Sequence, residues 1–315
     1  MGYPIEKIRE SIQRTGFSTE LKTIQELLKQ GWQTVHSTTY VDTDESKSRE
    51  IDALAVRQRD SGTPFYGFAF HIVAEVKHSE NPWICFSSKP AHRRSSWSIV
   101  HATNTRGDSS KVRNKDWLPL LSGSCSMDEH LRAGRQRIGR AFHEMSNETT
   151  DKKVGQDQGH KNRPLAGLRQ VTKASQFFAD QLQKRRDESV DGSLYHPSID
   201  VFHPILVFDH ELYEVYLDEH GSEVIEQKDW MPVEITYSSP TTRKGIWGDS
   251  YFPDIVTLVA LPKYLESVEA WRLSMIREMD EELATQMVSI PKKPKKAVSY
   301  VRAGSQPSQT KWEGR

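Results

Sequence analysis

Apolar residues recur at helical spacing at Ile5, Ile8 and Ile12, which predicts a short amphipathic helix from Pro4 to Ile12. Gly16 interrupts that pattern, and GFSTELKTIQELLKQGW then reads as a second helix. At about 100° per residue, Phe17, Leu21, Ile24, Leu27 and Leu28 fall in one arc, while Thr19, Lys22, Gln25, Glu26, Lys29 and Gln30 point the other way. Ser18 or Thr19 is expected to cap its start and Gly31 to end it. The pattern then turns to strand character. WQTVHSTTYV, from Trp32, is rich in β-branched and aromatic residues. REIDALAVRQ (Arg49 to Gln58) and GFAFHIVAEVKHS (Gly67 to Ser79) flank RDSGTPFY, whose Gly62 and Pro64 suit a hairpin loop.

Residues 81–163 show no sustained period. Ser, Asn, Arg, Gly and His abound there, broken by Trp83, Trp97 and Trp117, and NETTDKKVGQDQGHKNRP has the composition of an exposed loop. A charged helix is expected near 127–145, and the segment is expected to be an insertion, not an independent domain. Order returns at Pro164, where Leu168, Val171, Phe178 and Leu182 predict another helix. FHPILVF (Phe202 to Phe208) suits a buried strand, and LYEVYL, EVIEQKDWMPVEITYSS and YFPDIVTLVAL suit further strands. KYLESVEAWRLSMIREMDEELATQM is a long amphipathic helix in which Trp271, Met275 and Met279 read as core. Past Ile290 the chain is a polar tail containing KKPKK, expected to be disordered. No internal repeat is found.

Composition narrows the classes. The 315 residues allow a sizeable core, and Lys plus Arg equals Asp plus Glu at 43 each, so any attraction for a polyanion must be local. The two cysteines, Cys85 and Cys125, have no Cys-x-x-Cys partner, which argues against a disulfide framework or a zinc site of the usual spacing. The twelve histidines show no recurring ligand spacing; His92, His101, His196, His203, His210 and His220 read as exposed or hydrogen-bonded. The N-terminus lacks a signal-peptide core, and the longest apolar stretch, Ile255 to Leu261, is too short to span a bilayer. A cytoplasmic protein without membrane partners is the expectation.

Chemistry concentrates in a few charges set among apolar neighbours. Along Gly67 to Ser79, Phe70, Ile72, Ala74 and Val76 take one face and His71, Val73, Glu75 and Lys77 the other. Glu75 and Lys77 therefore project together. Asp52, between Ile51 and Ala53, falls near their level if the hairpin turns near Gly62. Glu20 lies inside the apolar arc of its helix, where an unpartnered carboxylate costs several kcal/mol. Such a set suits phosphodiester hydrolysis. Magnesium takes oxygen ligands and keeps waters, it activates a water for attack, and an ammonium can steady the developing charge. The required barrier reduction, on the order of 8–23 kcal/mol, exceeds what one lysine supplies, so the cation is the necessary element.

These residues resemble the PD-(D/E)xK nucleases, the restriction-endonuclease-like superfamily, over Gly16 to Ser79: Glu20 in GFSTELKTIQELLKQGW, Asp52 in REIDALAV, Glu75 and Lys77 in IVAEVKHS. Ile51 stands where the motif has proline. The resemblance implies Asp52, Glu75 and Glu20 as ligands of Mg2+ (or Mn2+), and Lys77 as the catalytic lysine. It implies DNA, before RNA, as the substrate. It also implies that Pro164 to Arg186 and Phe202 to Phe208 complete the core, with Gln170 a candidate accessory glutamine. The expected architecture is α/β: a restriction-endonuclease-like core with a central mixed β-sheet flanked by helices, a long insertion after the β-hairpin, and extra antiparallel strands. One nuclease-like domain would span 1–290, with core 16–79 plus 164–217, insertion 80–163 and C-terminal strands and helix 223–287, followed by a basic tail at 291–315.

The bland alternatives are explicit. Glu-x-Lys alone is explained as well by an ion pair on a strand, Asp52 by a strand edge, and Glu20 by the positive helix N-terminus. Arg93, Arg94, Arg106, Lys111 and Arg113 with Trp97 and Trp117 form a basic, aromatic-bearing loop that suits either a nucleic-acid backbone or plain solvation. The final helix also offers a face for a homodimer. The rival to an enzyme is a nucleic-acid-binding module of the same fold without catalysis.

Overall fold

The computed structural model describes residues 4–59, 67–89, 99–103, 137–145, 163–188, 198–237 and 249–288. In chain order the elements are α1 (Ile5–Arg14), α2 (Phe17–Lys29), β1 (Gln33–Asp42), β2 (Lys47–Gln58), β3 (Gly67–Lys77), β4 (Trp83–Ser88), β5 (Ile99–Thr103), β6 (Ile138–Glu144) and α3 (Arg163–Glu188). They continue with β7 (Ser198–Phe208), β8 (Leu212–Leu217), β9 (Glu223–Lys228), β10 (Trp230–Pro232), β11 (Ile235–Tyr237), β12 (Asp249–Tyr251), β13 (Asp254–Thr257) and α4 (Leu261–Val288). Contacts group the chain into a unit at Met1–Met279, which holds every strand among the described residues, and another at Asp280–Arg315, described only through the last turns of α4.

The architecture is α/β, with mixed sheets flanked by helices. β1, β2 and β3 form an antiparallel meander. β7 then pairs parallel to β3 from Gly67↔Ser198 to Lys77↔Phe208, and β13 runs parallel on the far side of β7. β10 closes that edge, giving the order β1-β2-β3-β7-β13-β10, with β5 also on β7. A parallel neighbour for β3 needs a long crossover. The chain between β3 and β7 includes α3, which packs on both strands. β3 and β7 lie at the centre because their sequences, GFAFHIVAEVK and SIDVFHPILVF, are apolar on both faces.

One core cluster joins Val73 of β3 and Phe202 of β7 to Val171, Ala174 and Ala179 of α3, with Tyr40 and Ile51. Phe70 lies in a ring cluster with Trp32, His203 and Trp271 of α4, its centroid 5.5 Å from that of Trp271. Within it, His203 Nε2 lies 2.7 Å from the Tyr264 hydroxyl, which donates to Asp254 Oδ2 at 2.7 Å. The chain of bonds lowers the cost of burying these three polar groups, although His203 Nδ1 makes no hydrogen bond among the described residues. A further cluster, in which Trp83 stacks on Phe208 at 4.2 Å, links the main sheet to a four-stranded sheet ordered β6-β4-β8-β9.

Three expectations are corrected. Residues 138–144 form strand β6, not part of a helix, because Ile138, Gly139 and Phe142 pair and pack against β4. The segment after the hairpin does more than interrupt the core: β4 and β6 build half of the four-stranded sheet, and β5 adds to the main one. The third concerns α2, whose buried positions are Thr19, Thr23 and Leu27, whereas Phe17, Leu21 and Leu28 are exposed. The helix has no side-chain cap: Gly16 is the N-cap residue, and Thr19 and Thr23 are drawn inward by hydrogen bonds to Asp209 and to the Thr19 carbonyl. Arg93, Arg94, Trp97, Arg106, Lys111, Arg113 and Trp117, the hairpin loop at 60–66 and the KKPKK tail lie outside the described residues.

Gly16 decides how α2 sits. Its φ of +77° is left-handed, and a Cβ there would come 2.9 Å from His78 Cβ. Gly16→Ala is therefore expected to destabilise the protein by about 1–2 kcal/mol from backbone strain alone, and more with the clash. Urea unfolding measures this; an unchanged midpoint would show that α2 does not depend on that close approach.

Candidate functional site

The β2–β3 ladder runs as far as Ala53↔Ala74. One step farther a side chain replaces the backbone: Asp52 Oδ2 accepts the Val76 N–H at 2.6 Å. That bond brings Asp52 level with Glu75 and Lys77. Across from Asp52 in β1, Ser37 has φ +54°, between the pairs His36↔Ala53 and Thr38↔Ile51. A left-handed residue inside a strand is strained, and strain of this kind gathers at functional positions.

α3 supplies the lid. Gln170 Nε2 donates to Glu75 Oε2 at 2.9 Å and to the Glu50 carbonyl at 2.8 Å, so it ties the two strands together at the carboxylate. One turn earlier, a Cβ on Gly167 would meet Leu206 Cδ1 at 2.9 Å and Lys77 Cε at 3.5 Å. The bare glycine lets the helix lie directly on the lysine stem. The Lys77 ammonium bonds Glu75 Oε1 and keeps about a third of its side chain exposed, at 33%, against 2% for Glu75. α2 contributes Glu20 from its first turn, with Oε2 3.7 Å from His36 Nε2 of β1.

The electrostatics follow from burial and crowding of like charges. Burial, then the charges of Asp52 and Glu20, push Glu75 up to about 8, against the opposing effect of Lys77. Burial also raises Asp52, although the Val76 N–H and Lys77 pull the other way. Glu20 is raised by burial and by Asp52, with His36 opposing. Glu20 and Glu75 thus each feel the charge of Asp52, and Glu75 that of Glu20 as well. A divalent cation relieves that repulsion, and an all-oxygen donor set is the kind magnesium takes. Asp52 Oδ1 and Glu20 Oε1 accept no hydrogen bond among the described residues, which leaves donors for it. By charge and donor chemistry the residues fit such an ion. They do not form a closed cage: among the described residues no group of three or more His, Cys, Asp or Glu side chains is arranged to hold a metal. Glu75 has both oxygens engaged, by Lys77 and by Gln170.

Glu20, Asp52, Glu75 and Lys77, named from sequence, stand in one electrostatic cluster with Gln170 bonded to it. Sequence reasoning passed over His36, because a histidine on an edge strand carries no motif. It also passed over His78 and Asp209, whose side chains meet at 2.6 Å; adjacency of His78 to Lys77 was the available signal. Compared with protein-family models, curated proteins and solved structures, the chain matches none. No helix among the described residues is long and apolar enough to cross a membrane.

Because Glu75 rises from 4.5 to about 8 on folding, the folded state holds its proton more tightly than the unfolded chain does. Its contribution to stability is full below pH 4.5 and is lost as pH climbs through 8. Without divalent cations, Glu75→Gln is expected to gain thermal stability relative to wild type across that window. Parallel calorimetric profiles for the two proteins would refute the buried-carboxylate account.

Proposed function

We propose that this chain is a metal-dependent nuclease that hydrolyses phosphodiester bonds in DNA, with a restriction-endonuclease-like core of the PD-(D/E)xK type. The observation that carries the reading is the gathering of three carboxylates, each raised by burial, and one lysine at the end of β3, from α2, β2 and β3. The element order supports it: helix α2, the meander β1-β2-β3, helix α3 and parallel strand β7 are the parts the resemblance requires.

In this reading Asp52 and Glu75, with Glu20 beside them, hold Mg2+, for which Mn2+ substitutes. Magnesium usually binds through one or two carboxylates plus waters and substrate phosphate, so a closed cage of three protein ligands is not required. The chemistry supplied by the bound ion is Lewis-acid polarisation of a phosphoryl oxygen and activation of a water. Lys77, about a third exposed at 33% and with its Cε against α3, steadies negative charge as it develops on phosphorus. Gln170 orients Glu75 from behind, as an outer-shell group does for a ligand.

Purified protein incubated with supercoiled and linear DNA is expected to cut in Mg2+ and to stop on chelation. Lys77→Ala should lower the single-turnover rate on the order of 10²–10³-fold. Asp52→Asn should abolish Mg2+-dependent cutting, and Gln170→Ala should reduce it about 10–100-fold. The engagement of both Glu75 oxygens favours a second reading, a nucleic-acid-binding module of this fold without catalysis. It predicts that wild type binds DNA without cutting it and that Lys77→Ala binds as well.

A further inference from the structure

The last pair of the parallel β3–β7 ladder is Lys77↔Phe208. The next residue on each strand is therefore placed side by side, and these are His78 and Asp209, with Nδ1 2.6 Å from Oδ2. Asp209 also accepts from the Thr19 hydroxyl at 2.5 Å and from the Ser79 N–H at 3.1 Å. Burial works against ionisation of this carboxyl, but the bonds from Thr19, His78 and Ser79 outweigh it and hold its pKa below the ordinary value. An ionised carboxylate only accepts, so the imidazole must donate through Nδ1. Nε2 is then the working atom. It has no hydrogen-bond partner among the described residues, and the side chain is 30% exposed. The Gly16 turn closes on His78 Cβ, so the ring has little freedom to swing away.

The pair adjoins the candidate active site along two chain segments. His78 follows Lys77 directly, and Thr19 precedes Glu20 directly. Neighbouring Cα atoms are about 3.8 Å apart, so the backbone segments that carry Lys77 and Glu20 also carry the pair. The junction lies at the carboxyl ends of the parallel strands β3 and β7, the edge at which open α/β sheets present their ligand sites.

We propose that His78, oriented by Asp209, is the proton donor to the leaving oxygen of the phosphodiester, a role that rests on the nuclease reading above. Water forms the new P–O bond and releases its proton to solvent. The bridging P–O bond breaks, its electron pair stays on the leaving oxygen, and that oxygen takes the Nε2 proton of the imidazolium. Neutral His78 regains a proton from solvent. Asp209 holds the ring by Nδ1 throughout and offsets the imidazolium charge.

The test uses His78→Asn, whose amide nitrogen keeps a donor for Asp209 while removing Nε2. Thermal unfolding and Mg2+-dependent DNA binding should match wild type. Single-turnover cleavage of ordinary DNA should fall about 10²–10⁴-fold. DNA carrying sulfur in place of the bridging 3′ or 5′ oxygen has a leaving thiolate that needs no proton, and one of these two substrates should be cut at the wild-type rate. Equal losses on all substrates, or no loss on any, would overturn the role and leave the pair as a tether between α2 and the sheet. If His78→Asn unfolds, His78→Gln carries the same comparison. Wild type inert on every substrate overturns the nuclease reading, and this role with it.

Discussion

A carboxylate almost fully removed from solvent at the centre of a sheet is the constraint around which the described residues are organised. Glu75 stands on a strand whose other inward residues are apolar, and an uncompensated charge there costs more than one apolar contact returns. Compensation comes from two directions: Lys77 on the same strand and Gln170 from α3, which also bonds the Glu50 carbonyl of β2. Each partner needs a different element in register. The β2–β3 hairpin, the β3–β7 parallel pair and the α3 crossover thus all constrain the same few ångströms. Compensation is also incomplete, since Glu75 stays well above its ordinary pKa with two further carboxylates in range. Incomplete neutralisation of buried like charges is a signature of sites that take up a cation or a proton during work.

The surrounding architecture holds that arrangement rigid. α3 and the rings around Trp271 bury β3 and β7 from the two sides, and the Trp83–Phe208 stack anchors the four-stranded sheet to the end of β7. Because Phe208 is also the β7 partner of Lys77, that stack braces the strand end that positions His78 and Asp209. Left-handed backbone occurs at two places near the carboxylates, Ser37 across from Asp52 and Gly16 against His78, and only at Ser37 is it strained. Glycine tolerates such a conformation at no steric cost, and serine does not.

α2 shows how a polar site redirects a helix. Its exposed face carries Phe17, Leu21 and Leu28, while Thr19 and Thr23 are buried. That inversion of the usual amphipathic rule follows from what lies beneath the helix. The ionised Asp209 accepts the Thr19 hydroxyl, and Glu20 turns toward Asp52 and His36. The hydrophobic effect is non-directional, whereas hydrogen bonds to a charged acceptor are directional and stronger than neutral ones, so they set the rotation.

From the sequence by itself, much was determined. Alternation along GFAFHIVAEVKHS placed Glu75 and Lys77 together, and the apolar setting of Asp52 and Glu20 marked them as charges in need of partners. The alternation of β3 follows because the strand period is a local property of the backbone, whereas the arc that placed Glu20 inward is exposed at Phe17, Leu21 and Leu28. Only tertiary structure decided the rest. Residues 138–144 are a strand because β4 offers a partner for pairing, which no local pattern announces. Gln170 reaches Glu75 because a glycine one turn away lets α3 approach. His78 meets Asp209 because a parallel register joins residues far apart in the chain. The rotation of α2 likewise depended on an acceptor supplied from the end of β7. Distance along the chain hides such contacts: local periodicity says which way a side chain points, and only the packed fold says what it meets.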